Sequence, residues 1–129
     1  TIETITMKTS GTEEMDLSDY SEITINHLYD NGGVGQYSNN CDGYLRLIAA
    51  EGCTWKITGN VETESTSYDW LTVYDGPNAN SSFVGGTEKI GGRPMFNINL
   101  QSTSNVILIR FRTDGSSVYS GIDLQLKAE

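Results

Sequence analysis

Apolar and polar residues alternate in short runs along this chain, and no long stretch carries the 3.6-residue period of an amphipathic helix. The period of two predicts strands over residues 4–8, 21–27, 43–48, 54–58, 70–74, 95–100, 106–112 and 122–126, each rich in Ile, Val, Thr, Tyr, Phe or Trp. Turn clusters separate them: Asp30-Asn31-Gly32-Gly33, Glu51-Gly52, Asp75-Gly76-Pro77-Asn78, Gly91-Gly92-Arg93-Pro94 and Asp114-Gly115-Ser116. This pattern predicts an all-β fold, an antiparallel β-sandwich or jelly roll of about eight to ten strands. Val106-Ile107-Leu108-Ile109 is nearly continuous apolar sequence, as expected of a central strand buried on both faces. The segments 43–49 and 53–58 read as the two arms of one hairpin. Residues 1–28 are more acidic and are expected to add edge strands or to form a lead-in to a single domain spanning residues 1–129.

Charge narrows the partners. Seventeen acidic against eight basic residues give a net charge of −9, which repels phosphate backbones and anionic lipid and attracts cations and basic surfaces. Nucleic acid is therefore not an expected ligand. No stretch approaches the ~18 consecutive apolar residues of a membrane helix, so no membrane insertion is expected. Thr1 to Thr6 has neither the basic start nor the apolar run of a secretory signal, and localisation has to be read from other features. The two cysteines, Cys41 and Cys53, would lie ~20 Å apart on the hairpin reading. A bridge needs Cα atoms within ~7 Å. Two free thiols are favoured over a disulfide, although residues 39–43 could fold back and join them.

From about Tyr29 to Leu126, four stretches occur in an order that resembles the CUB domain, an extracellular β-sandwich module, and particularly its bacterial relatives. Tyr29-Asp30-Asn31-Gly32-Gly33 followed by Tyr37-Ser38-Asn39-Asn40 is similar to the family's opening. Tyr68-Asp69-Trp70-Leu71-Thr72-Val73-Tyr74-Asp75-Gly76 resembles its Tyr-Asp-x-Leu-x-Val-x-Asp-Gly hallmark. The segment from Pro94 through Phe111 to Asp114-Gly115-Ser116 is similar to the one ending Phe-x-Ser-Asp-x-Ser. Gly121-Ile122-Asp123-Leu124 resembles the closing Gly-Phe strand. The chain departs from the family in lacking its two usual disulfides, in a Tyr-Ser where Tyr-Pro is usual, and in a shorter loop before Asp69.

The resemblance implies a secreted or cell-surface binding module and a Ca²⁺ site. Calcium takes six to eight oxygen ligands, so several carboxylates must converge from separate loops. Carried over from calcium-binding CUB domains, the ligands become Glu64, Asp69 and Asp114, with Tyr37 buttressing the carboxylates and Ser117, together with a carbonyl near Ser116, as further ligands. The family's spacing points to position 61, here a valine, so the shortened loop leaves Glu62 as a rival to Glu64. Read from their own sequence context, Asp69 and Asp114 are equally turn residues bonding local amides, and Asp75 is the turn residue of Asp-Gly-Pro. The implied partner is an extracellular protein offering a Lys or Arg to the ligating carboxylates.

Enzymatic activity is not expected. The single histidine, His27, has no nucleophile motif beside it and reads as structural. One His and two cysteines match no common zinc spacing. The competing binding reading is a carbohydrate module, with Trp70 stacking on a sugar ring while Trp55 packs in the core; a third is a spacer domain in a larger secreted or surface protein. The Asn80-Ser81-Ser82 sequon has meaning only in a eukaryotic source.

Overall fold

The computed structural model describes residues 1–129, which form nine strands and no α-helix. They are β1 (Ile2–Thr6), β2 (Ser10–Asp16), β3 (Ile23–Tyr29), β4 (Asp42–Ile48), β5 (Trp55–Glu62), β6 (Trp70–Tyr74), β7 (Phe96–Gln101), β8 (Val106–Arg112) and β9 (Gly121–Ala128). A single 3-10 turn covers Val84–Gly86. One sheet has the order β1-β3-β9-β5-β7 and the other β2-β4-β8-β6. Odd-numbered strands thus occupy one layer and even-numbered strands the other, and every strand-to-strand connection crosses between layers.

That alternation corrects the hairpin expected from residues 43–49 and 53–58. β4 pairs with β2 and β8, β5 pairs with β7 and β9, and the two strands face each other across the core. The Glu51-Gly52 turn reverses the chain in either arrangement, so its sequence could not distinguish them. A second departure from a purely antiparallel sandwich lies at the edges, where β1 runs parallel to β3 and β2 parallel to β4. β2 is an edge strand within residues 1–28, where edge strands or a lead-in are expected, but the alternation assigns it no range of its own because few of its side chains are buried. Its polar sequence is held by backbone pairing to β4 along its full length.

The interior follows the period of two. Ile25, Leu28, Trp55, Ile57, Val61, Ile122, Leu124 and Leu126 project from the odd sheet onto Leu45, Leu47, Leu71, Val73, Ile107, Ile109 and Phe111 of the even sheet, all buried. Each fully buried aliphatic side chain contributes roughly 1.5–3 kcal/mol by removal from water. The Trp55 indole N–H donates to the Asn105 carbonyl at 2.9 Å, so this large side chain leaves no polar atom unsatisfied. β8 lies between β4 and β6, and Ile107, Leu108 and Ile109 are buried in succession, as its continuous apolar sequence predicts. At this end of the sandwich Asp75 does more than shape its own turn. Its carboxylate accepts from the Thr103 and Ser104 amides and from the Thr103 hydroxyl. Both cysteines are free thiols.

At the opposite end Asp30 is fully buried. One carboxylate oxygen accepts from the Gly32 amide at 2.8 Å, closing the local turn, and the other from the Ile122 amide at 2.8 Å. Gly121, at φ +80°, is the close-approach point, where any Cβ would collide with that carboxylate. Burial pushes the Asp30 pKa up to about 6, against the lowering effect of its amide donors. A carboxyl whose folded pKa exceeds its unfolded value adds stability that is fully present below about pH 4 and lost as pH rises through 6. Ionised at neutral pH, this group weakens the fold by about 3 kcal/mol relative to its protonated form. Carbon-detected NMR of the side-chain carboxyl should show a midpoint near 6, and the urea midpoint should fall between pH 4 and 7; an Asp30 titration centred below 4 would contradict this account.

Candidate metal centre

Three connections between the sheets meet at the Asp30 end: residues 30–41 from β3 to β4, 63–69 from β5 to β6, and 113–120 from β8 to β9. Asp69, immediately before β6, is fully buried. Its Oδ2 accepts from the Tyr37 hydroxyl at 2.7 Å and its Oδ1 from the Asp114 amide at 2.8 Å, so one carboxylate fastens all three connections together. The Tyr37 hydroxyl in turn accepts from the Glu64 amide at 3.1 Å. The Tyr37 ring is buried edge-on against Phe111, which fixes where that hydroxyl can reach.

The backbone around this knot is built for it. Tyr68 and Asp69 amides both donate to the Ser65 carbonyl, and the Thr63 hydroxyl contacts the Glu64 and Asp69 carbonyls while accepting from the Gly92 amide. Asn40, in the left-handed region at φ 60°, donates its amide to the Asp114 carbonyl at 2.7 Å. The Thr113 hydroxyl donates to the Ser38 carbonyl and accepts from the Cys41 amide, tying the first and third connections again. Asn40, Thr63 and Thr113 were not singled out by sequence. Their role is to satisfy backbone groups contributed by other loops, and no local pattern announces it.

With the loops so fixed, carboxylate oxygens of Glu64, Asp69 and Asp114 all lie within 4.8 Å of one another. Burial raises the Asp69 pKa, against its Tyr37 and Asp114-amide donors, and the Asp114 charge raises it further. Burial also raises that of Glu64; the Ser117 side chain opposes this, and the charges of Asp114 and Asp69 reinforce it. Glu64 Oε1 is buried with no hydrogen-bond partner. Ser117 adopts φ 65°, a backbone conformation uncommon outside glycine, next to this group. An orphaned buried carboxylate oxygen amid two further carboxylates is the environment a hard cation completes, so the donor set fits an oxygen-coordinated metal.

Of the other residues singled out by sequence, Glu62 stands outside this cluster. It accepts a hydrogen bond from the Ser120 hydroxyl and lines an open polar cleft of about 650 Å³ with Ser65, Thr66 and Arg93. Trp70 lies on the outer face of the even sheet, where its ring is flanked by Lys89 and Arg112 in place of a free stacking surface. Trp55 is in the core. His27 bonds Asp123 at 2.8 Å and stacks on Tyr29 at a centroid separation of 5.4 Å.

No protein-family model matches the chain. Solved structures resemble it over nearly its whole length. The CUB1-EGF-CUB2 domains of human MASP-1/3 align with a TM-score of 0.64 at 16% identity, covering 94% of this chain and 42% of that one. Those of rat MASP-1 align with a TM-score of 0.65 at 15% identity over 92% of this chain and 43% of that one. The full extracellular region of zebrafish Gpr126/Adgrg6 aligns with a TM-score of 0.68 at 21% identity, covering 92% and 15%. The chain therefore spans less than half the length of each of these structures. Its fold is the CUB-like β-sandwich.

Replacing Tyr37 by Phe keeps the ring against Phe111 but removes a donor to Asp69 and the acceptor for the Glu64 amide. Leaving those buried groups unpaired should cost about 1–3 kcal/mol. Urea unfolding in the presence of chelator measures it, and a variant as stable as the wild type would show that the hydroxyl does not hold the loops.

Proposed function

We propose that this chain is a non-catalytic extracellular binding module whose Glu64, Asp69 and Asp114 carboxylates hold a Ca²⁺ ion and present it, with their spare oxygens, to a basic side chain of a partner protein. The observation that carries the reading is the approach of three carboxylates to within 4.8 Å with one buried oxygen left unpartnered. Ser117 and the Ser116 carbonyl are the further oxygens at hand. Tyr37 orients Asp69 and is not itself a ligand. The CUB-like fold supports the extracellular setting, and a chain of 129 residues fits one domain of a larger secreted or surface protein.

The electrostatics favour both steps. Carboxylates within ~6 Å of one another resist simultaneous ionisation, and burial adds to that resistance at Asp69 and Glu64. A divalent cation removes the resistance and locks three connections that belong to different strand pairs. Three negative charges against two positive leave the occupied site with a net charge of about −1, so it still attracts a Lys or Arg.

Calorimetric titration with Ca²⁺ should give a Kd of about 10⁻⁴–10⁻³ M, and 10 mM Ca²⁺ should then stabilise the fold by about 1.4–2.7 kcal/mol. Asp114→Ala should abolish the heats, since its amide bond to Asp69 survives while the ligand is lost. Undiminished heats in that variant would reject the site.

A further inference from the structure

Carboxylates outnumber lysines and arginines seventeen to eight in this chain, yet Lys56, Lys89, Arg93 and Arg112 have no carboxylate within 4 Å. The ion pairs engage Lys8, His27, Arg46, Arg110 and Lys127. Two of the cations left over meet on one aromatic ring. The Lys89 ammonium lies 4.2 Å from the centroid of Trp70 and the Arg112 guanidinium 4.7 Å, and neither has a carboxylate within 4 Å.

Both reach the ring through the sheet's construction. Leu71 points into the core, so Trp70 points outward, and Arg112 sits directly opposite it on β8. Lys89 arrives from the other flank of β6, where Leu71 and Ile90 exchange backbone hydrogen bonds of 2.8 and 2.9 Å. One Arg112 nitrogen is anchored on the Tyr68 carbonyl at 2.6 Å, leaving further N–H donors. The ring quadrupole therefore gathers two positive charges within 5 Å of its centroid with no carboxylate to offset them, and an anion docked at this patch would offset that charge.

We propose that Trp70, Lys89 and Arg112 form a docking site for a carboxylate side chain of a partner protein. The site is small. On the same outer face the next cations, Arg110 and Arg46, are already taken by Asp42 and Glu14, Arg110 through two hydrogen bonds of 2.8 and 3.0 Å. A sulfated polysaccharide needs a run of free cations and meets a chain of charge −9, whereas a single Asp or Glu needs only this pair. Trp70 follows Asp69 directly, and Arg112 precedes Asp114 by two residues, or about 7 Å of extended chain. A partner segment with acidic and basic side chains close together would engage both places; that second contact alone rests on the function proposed above.

The intact chain supplies its own reporter, because Trp55 is fully buried and Trp70 is the tryptophan at the patch. A short peptide of Glu and Gly, titrated at low salt in chelator, should change the tryptophan fluorescence saturably. Lys89→Glu, at an exposed position that leaves the core intact, should weaken binding by about five- to tenfold, and rising salt should weaken it progressively. Asp114→Ala should leave this binding unchanged, while calcium-dependent binding of a Lys-bearing peptide is lost, so the two readings fail separately. Absence of a saturable change, equal binding by Lys89→Glu, or tighter binding of a heparin fragment than of the peptide at the same ionic strength would each overturn the assignment.

Discussion

Consecutive strands of this protein never share a sheet. Neighbours in sequence meet through side chains across the core, and neighbours in a ladder are separated by at least one strand of the other layer. Backbone pairing therefore follows loop closure, and the buried faces of Leu45, Ile57, Ile109 and Leu124 have to hold the layers together for any ladder to persist. The same topology carries every connection from one sheet to the other, residues 75–95 running back along the edge of β6. Residues 30–41, 63–69 and 113–120, distant in sequence, are brought to one end by this rule before any specific contact is considered.

What organises that end is a buried acid. Asp69 binds the Tyr37 hydroxyl and the Asp114 amide with its two oxygens, and through Tyr37 it also fixes the Glu64 amide. Asp30 plays a comparable part nearby, joining its own turn to the start of β9. Both are buried and both resist ionisation. They differ in surroundings. The Asp30 carboxylate has both oxygens bound by backbone amides, whereas Asp69 also lies with Glu64 and Asp114 in a cluster whose oxygens are within 4.8 Å of one another.

The alternation of apolar residues made the core legible because it depends only on which side of a strand a residue faces. Ile107, Ile109, Trp55 and Leu71 needed no knowledge of the partner strand. Sheet membership was not legible. A turn such as Glu51-Gly52 reverses the chain equally well within a sheet or across the core, and β2 hides no regular apolar face that would reveal it. The acid set was legible only through its likeness to a known motif order, since Glu64, Asp69 and Asp114 taken singly are indistinguishable from turn residues. The burial of Asp30 depends on Gly121, and the setting of Trp70 on Lys89 and Arg112, all remote in sequence from the residues they affect.

One further feature separates the acid cluster from an ordinary structural ion-pair network. A guanidinium stands two residues before Asp114 but forms no ion pair with it or with Glu64. Instead the Tyr68 carbonyl and the Trp70 ring hold Arg112 on the outer face of the even sheet. The cluster and the cations beside it are thus kept from cancelling each other. A fold selected for stability alone gains nothing from that arrangement, because buried like charges weaken it and a cation at hand is left unused. Three carboxylates and two cations thus stand as neighbouring patches of opposite sign at one end of the sandwich, the arrangement on which both proposed binding sites depend.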